Sequence, residues 1–572
     1  METKKSKFSR RGFLIGAGIL GAGAGALGIT SATRKKGVDN AAGSSSDADF
    51  VIIGAGHNSL ACAMQLTRAG YKVLILEGSQ RIGGAAKTLE LTLPGFKHDV
   101  YATNIGMFLG ALTFAEFKDD LFKHGFKPVV SEQPMASVFP DGTGMGIYKD
   151  AAKTQASLEK ASPADAAAWG ELLKYFQQTA PHFLPMLQVP MPSFAALRKA
   201  YGLVSALGVK GAYQFVRLLL QSPRQYVDYW FENPKTKALF IPWAMHLDFG
   251  PDVSGGAMFP FVEPPIYHSF GMPISQGGVG NLIEAMAAVV KQNGGEIITG
   301  QKVAKVLTKN GQAVGVQTED GKKIFTRKSV IANVTPTQLV RNLLDDGSLP
   351  SDYAVRCRKY RFGPGTMMIH LALDGPAPWA AGPEFGKFNY VHIGPYVEDL
   401  ARTYTSAMNG CLPASPLLIV GQQSVTDPTR APQGKQTLWV QVRLLPAKPM
   451  GDELSGNGAI APAAWPQIKE AYADRALKKL EQYAPGISQK ILKRVVLSPA
   501  DLQGENPNLV GGDSLAGSHH LDQFYMFRPL PNWSRYETPV KGLYMVGAST
   551  WPGAGLHGTS GHLLGKELLE IY

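Results

Sequence analysis

The stretch that decides the fold is FVIIGAGHNSLACAMQLTRAGYKVLILE, residues 50–77. Its first four residues, 50–53, are apolar and predict a short buried strand, which leads directly into a glycine-rich loop. Residues 60–69 predict a helix, and residues 72–76 predict a second strand that ends at Glu77. Strand, glycine loop, helix, strand and acid follow one another as in a β-α-β unit, so the stretch predicts a dinucleotide-binding site.

Each residue of the glycine loop has a predicted task. Gly54 permits the tight turn, and Gly56 lets the backbone approach a pyrophosphate at the helix N-terminus, where N–H groups are free. We expect the neighbouring Ala55 and Asn58 to contact the same ligand. Ser59 stands where a third glycine is usual; we include it in the site and expect it to loosen the helix–strand packing slightly.

Glu77 and the segment after it distinguish between dinucleotides. Glu77 lies about 20 residues after the glycine loop, where a carboxylate accepts hydrogen bonds from an adenosine ribose and repels a 2′-phosphate, which argues against NADP. The segment RIGGAAKT, residues 81–88, then offers a second loop along the pyrophosphate, and Arg81 would supply positive charge there. The small residues that allow close approach of the backbone are Gly83, Gly84 and Ala85. An NAD dehydrogenase does not need this second loop, so the pair of loops predicts FAD.

The far C-terminus predicts the remaining side of the site. Residues 542–548 predict a strand, the glycine-rich loop 549–558 follows, and residues 560–569 predict a helix. Such a loop at a helix N-terminus would approach the ribityl chain and the pyrimidine edge of a flavin, where negative charge develops on reduction. The predicted contacts are Gly547, Ala548, Gly555, His557 and Gly558. His557 is the one catalytic candidate, as a group that polarises the flavin or acts as acid or base; the alternative is an ordinary loop residue.

Three separated segments build the predicted FAD-binding domain: 49–150, 266–345 and 531–572. Residues 151–265 predict a helical cap, and residues 346–530 predict a substrate domain based on a mixed sheet. We therefore expect an α/β fold with a discontinuous Rossmann-like FAD-binding domain, a mixed-sheet substrate domain and a helical cap. The cap is amphipathic and basic, which fits peripheral contact with a membrane; the alternative is core packing beneath solvated charges.

Five motifs carry a family resemblance. They are GAGHNSL, Glu77, RIGGAAKT, GMPISQGGVGNL and GLYMVGASTWPGAGLHG. From Asp49 to the C-terminus the chain resembles the phytoene-desaturase-like, carotenoid-desaturase-related branch of the FAD-dependent amine-oxidase-type flavoproteins. The resemblance implies a hydride-accepting flavin, an apolar and often polyene substrate, and main-chain contacts from Val303 to the adenine. Ser59 and an export signal depart from the family pattern.

The N-terminal sequence predicts a targeting signal. Residues 1–32 hold the twin-arginine pattern SRRGFL, a glycine-rich apolar stretch and small residues for cleavage, and residues 33–48 predict a polar linker. We expect export by the twin-arginine pathway to a periplasmic or extracytoplasmic location, with membrane association if the segment is retained as an anchor. This route carries folded proteins, which fits a cofactor inserted before export. No other apolar run is long enough to predict a second spanning helix.

Composition excludes several classes of protein. Hydrophobic residues make up 45% of the 572 residues and charged residues 18%, so the chain can bury a large core and is not globally disordered. Three cysteines exclude a disulfide scaffold. The pair His519–His520 with Asp522 lacks ligand spacing, so we expect no metal. The charge of +12 comes without a nucleic-acid-binding motif, so we expect no nucleic acid partner.

Together these features predict an FAD-dependent oxidoreductase, a dehydrogenase (desaturase) or an oxidase, that oxidises a C–H bond of an apolar small molecule by hydride transfer. Outside the cytoplasm, the electron acceptor would be oxygen, a quinone or an exported carrier. The C-terminal loop holds no cysteine, which argues against a cysteinyl-flavin bond, and we expect non-covalent FAD. The alternatives are an amine oxidase, a redox-neutral double-bond isomerase, and a non-catalytic carrier of apolar ligands.

Overall fold

A computed structural model describes residues 48–345, 347–455 and 464–572 of the chain. The twin-arginine signal predicted at 1–32 and the linker predicted at 33–48 lie outside the described residues, apart from Ala48. Ala48 already belongs to the first strand, which therefore begins one residue before the predicted domain boundary at 49.

The predicted β-α-β unit lies at the centre of a sheet of seven strands within the described residues. Strand Ala48–Ile53 pairs in parallel with Val73–Leu76 on one side and with Lys323–Ala332 on the other. Helix His57–Arg68 connects the first two strands. The second strand is buried along its whole length, as expected for parallel strands that are covered on both faces. The remaining strands are Glu296–Ile298, Val303–Lys309, Gln312–Thr318 and Leu543–Met545.

Two further helices pack beside His57–Arg68 against this sheet. Val279–Gln292 begins inside the GGVGN motif, residues 277–281, and Thr559–Ile571 follows the C-terminal glycine loop. Helix Thr559–Ile571 occurs where the sequence predicts one, at residues 560–569. The sheet and its helices therefore come from three separated stretches of chain, while the domain boundaries themselves stay a prediction.

A second sheet of seven strands in the described residues forms the other half of the molecule. In spatial order its strands are Ile491–Leu497, Gly365–Leu373, Gln436–Leu445, Leu417–Gly421, Tyr390–Ile393, Met135–Val138 and Gly144–Ile147. Three two-stranded ladders accompany the sheets: Thr88–Leu89 with His98–Asp99, Pro128–Ser131 with Met272–Ser275, and Cys411–Leu412 with Gly451–Asp452.

The strands Met135–Val138 and Gly144–Ile147 belong to the second sheet, although they lie in the stretch 49–150 that the sequence assigns to the first FAD-binding segment. Met135–Val138 pairs in parallel with Tyr390–Ile393. The rings of Phe385 and Phe388 occupy the space above two glycines of the hairpin, where an added Cβ would lie 2.3 Å from each ring. These close contacts explain why the hairpin docks on the second sheet.

The cap is helical, as predicted. Its helices are Ala151–Glu159, Pro163–Phe183, Phe194–Leu220, Pro223–Trp230, Pro234–Phe240, Pro242–Met245 and Met258–Phe270. The last of these continues past the predicted boundary at 265. Within the described residues, Phe194–Leu220 is one helix that is long and apolar enough to cross a membrane by length and composition alone, although the sequence predicts no spanning segment after the N-terminus. Gly208 interrupts its helical geometry.

The other helices connect the sheets. They are Gly106–Leu109, Leu112–Lys123, Pro336–Gln338, Ser351–Arg358, Val397–Met408, Gln423–Thr426, Trp465–Tyr483, Ile487–Lys490 and Pro499–Glu505.

A buried ion network joins the two halves. Arg430 is fully buried, and its guanidinium lies 2.9 Å from Asp99 and 2.8 Å from Asp427. The same carboxylates accept backbone N–H groups of the GGVGN motif, Val279 on Asp99 and Gly277 on Asp427. Because one guanidinium and the backbone N–H groups together satisfy both carboxylates, the network can fix the motif in a dry interior.

Candidate active site

A cavity of about 800 Å³ extends from the glycine loops of the first sheet to the face of the second. Of the predicted cofactor contacts, these line it: Gly54, Gly56, Asn58, Glu77, Gly83, Gly84, Ala85, Val303, Ala548 and Gly555. The other predicted residues, Ala55, Ser59, Arg81, Gly547, His557 and Gly558, lie outside its lining. All of these assignments stay predictions of cofactor contact, and the following paragraphs describe what each group touches.

The two glycine loops form a cradle at one end of the cavity. Gly56 and Gly83 pair as a parallel bridge, and a Cβ on Gly84 would lie 3.5 Å from the Gly56 Cα. Gly83 has φ +109°, and a Cβ there would lie 2.4 Å from the Ala86 carbonyl oxygen. Helix His57–Arg68 begins at this cradle without a side-chain cap, so its first N–H groups can bind an anion. The cradle suits a pyrophosphate.

Glu77 organises the cradle as well as facing the cavity. Its Oε2 accepts a hydrogen bond from the Ala55 N–H at 2.7 Å, and its Oε1 accepts one from the Ser79 N–H at 2.9 Å. Ala55 is fully buried, and its N–H is thereby occupied. Glu77 therefore connects the glycine loop to the end of the second strand, a task that the sequence did not reveal.

The predicted cation of the second loop differs from the one that reaches the cavity. Arg81 is exposed and stands outside the lining, whereas Lys87, six positions later in the same motif, lines it. A lysine is an ordinary phosphate ligand, so Lys87 adds the positive charge that this end needs. Lys87 is part of RIGGAAKT, but the sequence alone assigned it no task. A role of Arg81 at the pyrophosphate stays a prediction.

The expectation that Ser59 slightly loosens the helix–strand packing stays a prediction. Ser59 is fully buried, and its hydroxyl accepts a hydrogen bond from Asn333 Nδ2 at 2.9 Å. Close approach of the neighbouring helices depends on Gly561, where an added Cβ would lie 1.7 Å from the Asn58 carbonyl oxygen. Gly547 makes room for the same Asn333, whose Oδ1 would lie 2.3 Å from a Cβ at 547. Asn333 is thus the shared partner that the sequence analysis missed.

His557 occupies a position behind the C-terminal loop. Its Nδ1 accepts the Thr559 N–H at 2.9 Å at the start of helix Thr559–Ile571, and its Nε2 lies 3.3 Å from the Gly553 carbonyl oxygen. Burial lowers the pKa of His557 to about 3, so the ring is neutral. With both nitrogens engaged, the geometry favours a structural task for His557. A catalytic role for it stays an untested prediction.

Two other histidines hold the same loop. His519 Nε2 accepts the Ala554 N–H at 2.9 Å, and His57 Nε2 lies 3.2 Å from the Gly555 carbonyl oxygen. Burial lowers the pKa of His57 to about 4. His57 also lines the cavity and was missed, because the sequence analysis assigned tasks only to its neighbours. No group of three metal-ligating side chains occurs among the described residues, which include His519, His520 and Asp522.

The opposite end of the cavity is aromatic. Tyr390 and Trp439 stack with ring centroids 5.8 Å apart and planes 10° apart, and Trp243 lies 5.0 Å from the Tyr267 ring. Phe259 completes the wall. Such surfaces accept planar or elongated apolar molecules with large buried contact area. None of these five residues was predicted from the sequence.

One carboxyl group faces this aromatic end. Glu263 lies on helix Met258–Phe270, lines the cavity and is half-buried. Burial raises the pKa of Glu263, and a hydrogen bond from the Tyr267 hydroxyl partly opposes that rise. The Tyr267 oxygen itself accepts a hydrogen bond from Asn104 Nδ2. A carboxyl group with a raised pKa in a largely apolar cavity is suited to proton transfer.

Fold and cavity together define a flavin-dependent oxidoreductase. The chain belongs to the family of flavin containing amine oxidoreductases, which matches residues 60–559. It is 28% identical to "Pyridine nucleotide-disulfide oxidoreductase domain-containing protein 2" of Rattus norvegicus, over 91% of this chain and 94% of that protein. It is 28% identical to a phytoene desaturase (neurosporene-forming) of Rhodobacter capsulatus, over 88% and 90% of the two chains. It is 25% identical to a limonene dehydrogenase chain of Castellaniella defragrans, over 91% and 94%.

Solved structures share the fold at low identity. Wild-type putrescine oxidase bound to putrescine has a TM-score of 0.58 at 14% identity, over 91% of this chain and 99% of that one. An oxidoreductase from Methanosarcina mazei has a TM-score of 0.55 at 18% identity, with the same coverage. The predicted fold class, the enzyme class and the FAD cofactor are confirmed.

The residues present fit FAD. The cradle leaves room for a pyrophosphate, and Glu77 and Val303 line the same cavity, with the Glu77 carboxylate available to a ribose. Asn58 Oδ1 is buried beside the cradle without a hydrogen-bond partner in the described residues, as expected of a group that a ligand would satisfy.

Proposed function

We propose that the enzyme dehydrogenates a substrate with an elongated apolar body, such as a polyene or terpenoid chain, by hydride transfer to FAD. The observation that carries the proposal is the continuity of one cavity from the pyrophosphate cradle to the wall of Trp243, Tyr390 and Trp439. The names of two relatives, a phytoene desaturase and a limonene dehydrogenase, support a substrate with a hydrocarbon body. An aromatic wall excludes water and binds a hydrocarbon by contact area.

Dehydrogenation removes two hydrogens from neighbouring carbons, and a side chain of the protein must accept one of them as a proton. When bound, FAD supplies the acceptor for the hydride. The second hydrogen leaves as a proton, and its electron pair becomes the new double bond. The Glu263 carboxylate accepts that proton, because it faces the aromatic end and its raised pKa favours the protonated product.

The helix Phe194–Leu220 serves as a membrane contact in this proposal. Its side chains at Phe194, Tyr201 and Tyr213 are 82%, 64% and 61% exposed. The helix carries four basic residues and no acidic ones. The break at Gly208 divides it into two shorter pieces, which favours lying on a surface over crossing it. An anionic membrane face would deliver the apolar substrate without passage through water.

Export by the twin-arginine route belongs to the same proposal, with oxygen, a quinone or an exported carrier as electron acceptor. The sequence SRRGFL supports it. Replacing Arg10 and Arg11 with lysine should leave flavin-loaded protein in the cytoplasm. Normal export of that variant would exclude the twin-arginine route.

The reaction is tested by anaerobic titration of the purified yellow protein. We expect lycopene precursors or limonene in detergent to bleach the oxidised flavin absorbance, and primary amines such as putrescine to leave it unchanged. Bleaching by amines with hydrocarbons inert would make the enzyme an amine oxidase. Product formed from a hydrocarbon without net bleaching, with only its double bonds moved, would make it an isomerase.

A further inference from the structure

Arg443 is a buried cation that faces the substrate end of the cavity. It lies on strand Gln436–Leu445 and is only 5% exposed. Alternate residues of a strand point to the same face, and Trp439, Gln441 and Arg443 all line the cavity. The residues between them, such as Val440 and Val442, pack into the apolar core of the substrate domain.

The contacts of Arg443 are neutral. Nε donates to the Met245 carbonyl oxygen at 3.2 Å, Nη1 donates to Ser514 Oγ at 2.8 Å, and Nη2 donates to the carbonyl oxygens of His246 and Leu247. These bonds use four of the five N–H groups of a guanidinium. Among the described residues, no carboxylate lies within ion-pair distance of Arg443.

The two carboxylates that favour the charged form of Arg443 have other partners. Asp513 accepts backbone N–H groups of Gly363, Leu515 and Gly517. Asp248 accepts the Ser518 hydroxyl and the His519 N–H. They still favour the charged form of Arg443 at a distance, while burial lowers the pKa of Arg443 to about 10. The guanidinium therefore remains charged at neutral pH.

A buried charge without a contacting counter-charge is costly, and Arg430 shows how the same fold satisfies one. Arg430 is paired by two carboxylates and closed away from the cavity. Arg443 has a free N–H and borders a cavity that admits a ligand. Beside it, the Gln441 amide has only a weak contact, 3.8 Å, with Met368 Sδ, and Ser514 also lines the cavity.

We propose that Arg443, with Gln441 and Ser514, binds a carboxylate at the end of the substrate, so that the substrate is an acid with a long apolar body. This inference rests on the proposed function: the aromatic wall holds the body, and Arg443 fixes the end and thereby selects which carbons reach the flavin. A guanidinium binds a carboxylate through charge-assisted hydrogen bonds. One other source could supply the negative charge, the pyrimidine edge of the reduced flavin.

The test compares a polyene acid with its ester, which differ in charge at one end only. Retinoate and methyl retinoate are titrated into oxidised holoenzyme, and binding is followed by the shift of the flavin spectrum. We expect wild type to bind the acid about tenfold to a hundredfold more tightly than the ester. Arg443→Gln should lose that preference while keeping its affinity for the ester, and Arg443→Lys should retain part of it. Equal binding of acid and ester by wild type would overturn the proposal.

Two controls separate the possible causes. Glu505→Gln removes the charge of a carboxyl group that also lines the cavity, and this variant should keep the preference for the acid. The midpoint potential of the flavin is measured without ligand: a lower potential in Arg443→Gln with an unchanged acid preference would assign the arginine to the flavin and overturn the proposal. If Arg443→Gln does not fold, wild type and Arg443→Lys still decide the matter. Acid preference without flavin bleaching by any apolar compound would support the binding site and refute the dehydrogenase.

Discussion

The two ends of the cavity are built in different ways. The cradle end consists of backbone: Gly56, Gly83 and Gly84 hold two loops in contact, and Glu77 accepts hydrogen bonds from the backbone N–H groups of Ala55 and Ser79. The substrate end consists of side chains from distant elements, such as Trp243 and Arg443. A backbone site tolerates almost no added atom, whereas a side-chain site can change its specificity by substitution. Substitutions in the cradle should therefore weaken the binding of FAD, whereas substitutions at the substrate end should lower the reaction rate or change the substrate selectivity.

Glu263→Gln should have the largest effect, and it distinguishes the two ends most clearly, because it should change the reaction rate and not the binding of FAD. It should lower the rate of flavin reduction by about 10²–10⁴-fold, because a positioned acid or base contributes that much, and should leave FAD content unchanged. In wild type, the rate should fall as pH drops through the raised pKa of Glu263, because only the ionised form accepts a proton. The inflection should lie above the ordinary value of 4.5 and vanish in the variant.

Rapid-reaction measurements of flavin reduction across pH check this prediction. Glu505→Gln is the matched control, since Glu505 also lines the cavity but accepts a hydrogen bond from the Tyr101 hydroxyl at 2.7 Å. A pH profile that survives Glu263→Gln would show that another group takes the proton.

Gly83→Ala should empty the cradle. The new Cβ would lie 2.4 Å from the Ala86 carbonyl oxygen, at a φ of +109° that favours glycine. Steric strain of this kind should weaken FAD binding about a hundredfold. Gly70→Ala is the matched control, because Gly70 also has positive φ but an added Cβ meets nothing within 4 Å. Flavin-to-protein absorbance ratios decide the outcome; equal loss in both variants would point to general destabilisation.

The contrast between the ends also explains how much the sequence could predict. The cradle comes from two neighbouring motifs, so local order alone identified Gly54, Gly56 and Glu77. The aromatic end depends on which face of each strand meets the cavity, and the alternating pattern of Gln436–Leu445 leaves that choice open. Glu263 precedes two prolines inside a helix, an unusual setting without a motif.

Arg430 and Arg443 show that the sequence alone also does not reveal the role of a buried positive charge. Both are buried, although Arg430 lies in the polar turn DPTRAPQ, residues 427–433, and Arg443 in the mostly apolar strand Gln436–Leu445. Only the fold places Asp99 beside one and a ligand cavity beside the other. Asp427 lies three residues before Arg430, but the contact with Asp99 and the position of Arg443 at the cavity join residues far apart in the chain, which no local pattern records.

Glu77→Ala should weaken FAD binding by about one to two orders of magnitude, since charge-assisted hydrogen bonds contribute about 1.5–3 kcal/mol. The variant also removes the acceptors for the N–H groups of Ala55 and Ser79, so we expect a loss of affinity toward the upper end of that range. Glu77→Gln keeps one acceptor and should lose less. Because neither change reaches the flavin ring, the rate of flavin reduction at saturating FAD should stay near wild type. Equilibrium titration of apoprotein with FAD measures the loss, and tight binding by Glu77→Ala would refute the assignment of the ribose site.

The smallest expected effect concerns the exposed surface of the helical cap. Lys210 and Arg217 are exposed on helix Phe194–Leu220, and each basic residue near an anionic membrane contributes about 1 kcal/mol, roughly fivefold in affinity. Lys210→Gln and Arg217→Gln should each weaken co-sedimentation with phosphatidylserine vesicles by that factor. Lys323→Gln, an exposed lysine at the first sheet, should have no effect. Tyr213→Ala should weaken binding to vesicles without removing its dependence on anionic lipid, because its exposed ring adds apolar contact rather than charge. Equal binding to neutral and anionic vesicles would contradict an electrostatic contact, and the aromatic cavity would then have to receive its substrate from solution.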